Sequence, residues 1–326
     1  MISNTPLAIE AALFVDINGQ QQWITIRGQE RDNPVLFIVN GPGVALSPWA
    51  LFFQPWEKYF TLVQWDQPGA GATYGTHGET GMGPYTLNRI TRDAIAVARF
   101  VCRYLNVDKV IFSGISAGTV IGLMAIQHCP ELFSAYTGCG QFVHWLRQAR
   151  RSYELVLQQA RDGHDHAAVR ELEQIGPPPY AGIEAEVIKS KYAGAMTPAE
   201  QTAMAKLDPE VLAAMLTPPA DANYIARGVE YARDPMALAT RMFDRLRPEF
   251  YAFDAWQLGR KFEVPMIFIQ GELDFYSVTS EVEKYITEIE APRKRLDILA
   301  GAGHGAIFMR DELLDRLVAN LKVVQA

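Results

Sequence analysis

A serine lies at the centre of a glycine-bounded pentapeptide, at the point where an apolar run gives way to a helical pattern. The pentapeptide is Gly114-Ile115-Ser116-Ala117-Gly118; it follows the apolar residues 110–112 and precedes the helical pattern of residues 119–123. A strand, a tight turn and a helix in this order expose a serine hydroxyl at the apex of the turn, and glycines fit where the strand and the helix cross closely. Ser116 is therefore the candidate nucleophile.

The segments around this serine follow the order expected of a sheet covered by helices. Residues 13–17 and 22–26 flank an Asn-Gly pair, which predicts a β-hairpin. Apolar runs of strand length follow at residues 35–39 and 60–65, and a helical stretch covers residues 89–105. This alternation predicts an α/β fold with a doubly wound, mostly parallel sheet, and it places Ser116 at the carboxyl edge of the strands, where such sheets bind ligands.

The strand pattern is interrupted by a long helical segment and then resumes. Between residues 142 and 262 the periodicity is helical, as in residues 143–161 and 166–175, and it is broken by proline clusters at 177–179 and 218–219. Strand-like runs return at residues 265–270 and 295–299, before a closing helix near residues 306–321. We therefore expect a core domain made of residues 1–141 and 263–326, with residues 142–262 inserted as a helical cap.

Composition narrows the class of partner. The chain has 326 residues, of which 49% are hydrophobic and 21% charged, and its formal net charge is -7. This balance fits a globular enzyme with a large core and argues against nucleic acid or an anionic membrane as the default partner. We expect a small-molecule substrate, and nothing in the sequence decides whether the chain self-associates.

Targeting and metal signals are weak. The first residues show no basic region followed by a long apolar stretch, and the chain has no apolar run long enough to cross a bilayer, so we expect a cytoplasmic protein. The triplet His164-Asp165-His166 lies in a polar stretch and is interpreted as a loop or a helix start rather than a metal pair. We expect neither a metal nor an organic cofactor.

Three motifs, each behind an apolar strand, resemble the proline iminopeptidase-like branch of the α/β-hydrolase superfamily. The first is Val39-Asn40-Gly41-Pro42-Gly43, where that family has His-Gly-Gly-Pro-Gly. The second is Asp66-Gln67-Pro68-Gly69-Ala70-Gly71, which corresponds to the family's Asp-Gln-Arg-Gly-x-Gly, and the third is the serine pentapeptide. The resemblance covers nearly the whole chain and implies the α/β-hydrolase fold.

The resemblance also implies a set of catalytic residues. The family's order of nucleophile, acid and histidine matches Ser116, Asp274 and His304, and it places the oxyanion-binding N–H groups at Gly41 and Ala117. Of the six histidines, His304 alone lies in a glycine-flanked loop after the last strand-like run. Each position has an alternative interpretation. Ser116 is then only a small residue in a tight turn, and His304 a helix-capping or surface histidine. Asp274 is then a helix-capping residue, with Glu272 as the rival acid.

The departures from the family motifs bear on the substrate. Val39 and Asn40 replace histidine and glycine, and Ile115 and Ala117 border the serine, which indicates a smaller and less polar pocket floor. Pro42, Phe142, Trp145 and Tyr251 are further candidate pocket residues. Family aminopeptidases hold the substrate ammonium with cap carboxylates; Glu230, Asp244 and Glu249 are available for this, although helix surfaces carry such residues for solubility too.

The sequence therefore predicts a serine hydrolase that cleaves a small ester or amide through an acyl-enzyme. A proline iminopeptidase-like aminopeptidase is the alternative within the same chemistry. A catalytically weakened ligand-binding protein and a lyase that uses the same residues are alternatives from other classes.

Overall fold

The computed structural model describes residues 8–193, 196–215, 217 and 234–325. Its centre is an eight-stranded sheet with the strand order β1-β2-β4-β3-β5-β6-β7-β8. The strands are β1 (Ile9–Ile17), β2 (Gln20–Gly28), β3 (Val35–Val39), β4 (Thr61–Asp66), β5 (Val110–Ile115), β6 (Phe133–Cys139), β7 (Met266–Gly271) and β8 (Lys294–Leu299).

The sheet begins as a hairpin and continues in parallel. β1 and β2 pair antiparallel around Asn18 and Gly19, both of which have a positive φ, as the predicted Asn-Gly turn requires. β2 pairs antiparallel with β4, and all further pairs from β4 to β8 are parallel. The predicted hairpin and the mostly parallel sheet are confirmed.

Helices cover both faces of the sheet and fill the interval between β6 and β7. They are α1 (Ala50–Phe53), α2 (Gly71–Gly81), α3 (Leu87–Leu105), α4 (Gly118–His128), α5 (Trp145–Asp162), α6 (His166–Ile175), α7 (Ile183–Tyr192), α8 (Pro198–Met204), α9 (Pro209–Met215), α10 (Pro235–Ala252), α11 (Thr279–Glu288) and α12 (Arg310–Gln325). None of the helices within the described residues is long and apolar enough to cross a membrane.

The core lies in two layers, one on each face of the sheet. Along β3, Phe37 belongs to one buried cluster, whereas Leu36 and Ile38 belong to the other. Successive side chains of a strand point to opposite faces, so a continuously apolar strand supplies both layers. Burial on both faces fixes the strand ends, and with them the loops that carry the site.

The sequence pattern did not predict one core strand, β6. β6 (Phe133–Cys139) carries Ser134, Thr137 and Gly138, which interrupt its apolar pattern, although the strand is mostly buried between β5 and β7. The interval from 142 to 262 contributes the named helices, and its division from the core as a cap domain stays a prediction. The proline pair 218–219 and Glu230 lie outside the described residues.

Candidate active site

Ser116 occupies a strained turn between β5 and α4. Its φ is 52°, a left-handed value that is costly for a residue other than glycine. The turn is held by its surroundings: the Ser116 N–H donates to the Cys139 carbonyl at 2.8 Å, and the Thr119 N–H donates to the Ser116 carbonyl at 2.9 Å. The turn therefore presents the Ser116 hydroxyl at the carboxyl edge of the sheet.

Close contacts account for both glycines of the pentapeptide. A Cβ atom at Gly114 would lie 2.8 Å from the Thr119 Cα atom, and one at Gly118 would overlap the Val39 carbonyl group. Backbone approach, rather than flexibility, requires these glycines. The same approach brings the loop after β3 against the serine turn.

The histidine predicted from the resemblance contacts Ser116, and the predicted aspartate contacts that histidine; both lie in later loops. His304 Nε2 lies 2.8 Å from Ser116 Oγ, and His304 Nδ1 lies 2.9 Å and 3.1 Å from the two Asp274 carboxylate oxygens. Asp274 follows β7 and His304 follows β8, so adjacent parallel strands deliver both side chains to one edge. We call these three side chains the relay.

Asp274 is held by donors other than the histidine. Its carboxylate accepts the N–H groups of Tyr276 and Ser277, both at 2.8 Å, and the Ser277 hydroxyl at 2.6 Å. The rival acid, Glu272, is exposed, and its carboxylate accepts the Gly301 N–H at 2.8 Å. Asp274, rather than Glu272, is therefore the acid that contacts the histidine.

Asp274 and His304 shift each other's pKa. Burial alone would raise the pKa of Asp274, but His304 and the hydrogen bonds from Ser277 outweigh it and lower the pKa. Burial likewise opposes protonation of His304, yet the neighbouring carboxylates, Asp274 first, raise its pKa above the ordinary value of 6.5. Because Asp274 is ionised, the His304 Nδ1–H points to it, and Nε2 is left to accept the hydrogen bond from the Ser116 hydroxyl.

The two N–H groups predicted to bind the oxyanion, those of Gly41 and Ala117, lie next to each other, but the Gly41 N–H already donates a hydrogen bond within the protein. A Cβ atom at Gly41 would lie 3.2 Å from the Ala117 Cβ atom, so the two backbones are in near contact. The Gly41 N–H donates to Asn40 Oδ1 at 2.7 Å. Within the described part of the chain, the Ala117 N–H has no hydrogen-bond acceptor. The Gln67 side chain, in turn, donates to the Asn40 carbonyl at 2.7 Å and holds the loop in place.

A pocket of about 460 Å³ opens onto Ser116 and His304. Seven of the remaining lining residues come from the loops of the core or the start of α5: Asn40, Gly41, Pro42, Val44, Ala117, Phe142 and Trp145. α7 supplies Ile183, Glu186, Val187 and Ser190, α10 supplies Met236, Ala239, Thr240 and Phe243, and Tyr276 completes the wall. The wall is largely apolar, and Phe142 and Trp145 stack with their ring centroids 3.9 Å apart.

Three predicted pocket residues lie elsewhere. Val39 and Ile115 end their strands with side chains in the two core layers, because strand side chains point to the faces of the sheet rather than along its edge. Tyr251 lies near the end of α10, where its hydroxyl accepts the Tyr180 N–H at 3.3 Å. None of the three lines the pocket.

Sequence reasoning also missed the residues of α7 and α10. Both sets have the spacing i, i+3, i+4, i+7, which marks one face of a helix. Val187 and Met236 line the pocket and are 56% and 74% exposed, a property that the sequence pattern of the two helices does not reveal.

One carboxylate of the pocket wall carries its own counter-ion. Glu186 lies 2.6 Å from the ammonium of Lys189, whose side chain is 3% exposed. Two of the three carboxylates proposed from the sequence are engaged elsewhere: Asp244 pairs with Arg247 at 2.9 Å, and Glu249 accepts the Leu87 N–H at 2.9 Å. Among the residues that the structure describes, Glu186 is the carboxylate that a molecule bound in this pocket would meet.

No metal-ligating cluster of histidine, cysteine, aspartate or glutamate residues is found in the part of the chain that the structure describes. In the triplet considered above, Asp165 caps α6 by accepting the N–H groups of Ala167 and Ala168 at 3.1 Å and 2.9 Å. The helix-start interpretation of that triplet is confirmed.

Comparison with known proteins points to one fold. No family model matches the chain. The probable aminopeptidase YbaC of Bacillus subtilis (strain 168) is 27% identical over 284 residues, which make up 86% of each chain. The 3-oxoadipate enol-lactonase 2 of Acinetobacter baylyi is 32% identical over 108 residues, but the match spans only 36% of that relative.

Solved structures agree over nearly the full length. A proline iminopeptidase-related protein from Thermus thermophilus superimposes with a TM-score of 0.59 at 16% identity, covering 97% of this chain and 98% of the other. A serine hydrolase involved in carbazole degradation gives a TM-score of 0.59 at 16% identity, with 97% and 100% of the two chains covered. The predicted resemblance is thus confirmed: the chain has the α/β-hydrolase fold and is similar to proline iminopeptidase-related proteins.

Proposed function

We propose that the chain is a serine hydrolase that cleaves a small ester or amide with an apolar acyl group through an acyl-enzyme. The observation that carries the proposal is the hydrogen-bonded relay from Ser116 Oγ through His304 to the buried Asp274, at the floor of an apolar pocket. A serine hydroxyl becomes a strong nucleophile only when a base takes its proton during attack. In this proposal His304 is that base, with Nδ1–H directed to Asp274 and Nε2 facing the serine hydroxyl.

The reaction follows from this geometry. The Ser116 oxygen attacks the substrate carbonyl carbon while its proton moves to His304 Nε2, and Asp274 stabilises the imidazolium that forms. His304 then gives the proton to the leaving oxygen or nitrogen as its bond to carbon breaks. A water molecule attacks the acyl-serine, again through His304, and the serine proton is restored as the acid leaves.

The oxyanion needs donors at the position that it occupies in the tetrahedral intermediate. The Ala117 N–H borders Ser116 and is the first donor in this proposal. The Gly41 N–H is the second, once the Asn40 side chain turns away from it. Both are backbone groups, so the departures from the family motifs leave them in place.

Apolar walls favour a substrate that buries a hydrocarbon group, since burial of apolar surface contributes roughly 25 cal/mol per Å². Lys189 already neutralises the pocket carboxylate Glu186, which reduces the advantage of a substrate carrying a positive charge. These two features favour a neutral ester or amide over a peptide with a free N-terminus.

Glu186 also supports a second candidate, an aminopeptidase. A carboxylate on the pocket wall can accept hydrogen bonds from a substrate ammonium, and the similarity to the probable aminopeptidase YbaC points the same way. Under this alternative, alanine or proline nitroanilides would be hydrolysed far better than their N-acetylated analogues.

A fluorophosphonate probe tests the main proposal. Rapid labelling of the parent, lost in Ser116→Ala and His304→Ala variants that remain folded, is the expected result. p-Nitrophenyl esters of increasing chain length and amino-acid nitroanilides then separate the two substrate classes. A folded parent that takes no label and hydrolyses none of these compounds would contradict the proposal and favour a ligand-binding role.

A further inference from the structure

A buried carboxylate outside the relay contacts the loop that carries the histidine. Glu200, in the first turn of α8, is 1% exposed. Its Oε2 accepts the Thr197 N–H at 2.7 Å, completing a capping box with the Thr197 side chain, and its Oε1 accepts the Gly303 N–H at 2.7 Å. No ion pair of the described residues includes Glu200, so the two N–H groups hold the carboxylate.

Glu200 packs against Gly305, and the capping residue Thr197 packs against Gly303 on the other side of His304. A Cβ atom at Gly305 would lie 3.1 Å from the carboxyl carbon and from both oxygens of Glu200. A Cβ atom at Gly303 would lie 3.0 Å from Thr197 Cγ2 and 3.4 Å from Glu200 Oε1. Gly305 has φ −78° and ψ 21°, values that other residues adopt, so a side chain there would be opposed by the carboxylate, which would have to move by a few tenths of an ångström, and not by the backbone conformation.

We propose that Glu200 is a positioning residue for His304: its carboxylate fixes the loop of residues 303–305 and ties it to α8, in the helical segment between β6 and β7. The inference rests on the proposed serine hydrolase function, because it assigns to Glu200 the placement of the base in that reaction. Glu200 does not contact the substrate; it acts through the histidine loop.

The carboxylate has an electrostatic effect as well. The charged groups that face His304 are Asp274 from the β7 loop, Glu200 from α8 and Lys189 from α7, and the phenol of Tyr276 lies beside the ring. Burial lowers the pKa of His304, whereas Asp274 and, to a smaller extent, Glu200 raise it, and Lys189 opposes them. Removing the charge of Glu200 should therefore make His304 less basic.

The first test is the pH dependence of kcat/KM for a p-nitrophenyl ester in a Glu200→Gln variant. The base must be neutral, so activity falls as the pH drops through the pKa of His304. Loss of the Glu200 charge should move this acidic limb to lower pH, because Glu200 favours the protonated form of His304. A role in folding alone would lower the amount of active protein and leave the limb in place.

Two controls match this variant. Glu210→Gln removes an exposed carboxylate from the neighbouring helix α9, and Thr197→Ala breaks the other half of the capping box while it keeps the charge of Glu200. Both should leave the acidic limb where it is in the parent. Glu200→Asp keeps the charge but withdraws the carboxylate, so it should keep the limb near the parent position while kcat falls.

The second test adds a side chain at Gly305, against the Glu200 carboxylate, first with Glu200 present and then with Glu200 replaced by alanine. Gly305→Ala should lower kcat/KM about tenfold or more, since a small displacement of a catalytic group is enough for such a loss. In the Glu200→Ala background the same substitution should cause little further loss, because the obstacle is gone. The Gly305→Ala variant alone reports on the contact even if the Glu200 variants yield little folded protein.

The outcomes separate the inference from the function on which it rests. A parent that labels at Ser116 and turns over ester, with an unmoved acidic limb in folded Glu200→Gln and an unaffected Gly305→Ala, would overturn the role of Glu200 alone. A parent that neither labels nor turns over would overturn the serine hydrolase function first. A shifted limb together with non-additive substitutions at 200 and 305 is the expected result.

Discussion

Asn40 offers a direct test of how the oxyanion is held. Its side-chain oxygen accepts the Gly41 N–H at 2.7 Å, and that N–H is one of the two donors that the proposed mechanism needs. Substrate binding must therefore exchange this hydrogen bond for one to the oxyanion. Asn40→Ala removes the competing acceptor and leaves the backbone donor free.

The size of the effect follows from the hydrogen bond that is removed. A typical intramolecular hydrogen bond contributes about 0.5–1.5 kcal/mol net. If this is the cost of freeing the Gly41 N–H, Asn40→Ala should raise kcat/KM about 2- to 10-fold. The loop should keep its position, because Gln67 binds the Asn40 main-chain carbonyl at 2.7 Å rather than its side chain.

The assay compares kcat/KM for a short p-nitrophenyl ester in the parent and in Asn40→Ala. Asn33→Ala is the matched control, since Asn33 donates to the Lys58 carbonyl on the surface, outside the residues that line the pocket. A boronic acid that forms a tetrahedral adduct with Ser116 should bind more tightly by a similar factor in Asn40→Ala. It should bind equally to the parent and the control.

The opposite result would refute the reasoning. If the Asn40 amide itself donates to the oxyanion after a rotation, its removal should cost about 10²–10³ in kcat, as loss of one oxyanion donor does elsewhere. A fall of that size, with the acidic limb unchanged, would make Asn40 a donor and not a competitor. An unchanged kcat/KM would mean that the Gly41 N–H takes no part in the reaction.

Three further predictions concern pH, pocket charge and the serine turn. Because the pKa of His304 is raised, kcat/KM should lose half of its value at a pH above 6.5 on the acidic side; a profile that stays flat down to pH 5 would argue against His304 as the base. Lys189→Met should favour the free amine: the rate of alanine nitroanilide hydrolysis relative to that of N-acetylalanine nitroanilide should rise about tenfold. The reason is that Glu186 then lacks its counter-ion and can bind the substrate ammonium. An unchanged ratio would mean that Glu186 does not bind the substrate. Gly118→Ala should lower the free energy of unfolding, measured in urea, by about 3 kcal/mol, because the added Cβ atom would overlap the Val39 carbonyl group. A variant as stable as the parent would show that the turn has room for a side chain.

The features that sequence reasoning found are those in which residue type reports a backbone constraint. The Asn-Gly turn after β1 needs two positive φ values, and Gly118 lies where no Cβ atom fits. The apolar runs of β3 and β4 reflect burial on both faces of the sheet. Such constraints act over a few residues, so one sequence is enough to read them.

The relay needed more than local patterns. Ser116 is marked by its turn, but His304 lies 188 positions further along the chain, and only the motif order of the family linked the two. The glycines beside His304 are typical of a catalytic loop, and in the structure they pack against α8 and its cap: Gly305 against the Glu200 carboxylate and Gly303 against Thr197. The sequence pattern is local, but these contacts join residues about 100 positions apart, so a single sequence does not reveal them.

The pocket wall shows where sequence reasoning stops. On α7, Glu186 and Lys189 have the i, i+3 spacing of an ordinary solvated pair, which contributes little to stability on an exposed helix. Here the lysine is buried and the glutamate lines the pocket beside Ser116, because α7 and α10 approach the serine from the helical segment between β6 and β7. Tertiary packing alone decides which of many such pairs becomes part of a site. The preference for a neutral ester or a free amine therefore depends on α7 and α10, which belong to the segment whose sequence pattern is least specific. Substitutions at 186 and 189 should change this preference and leave the proposed reaction of Ser116 intact.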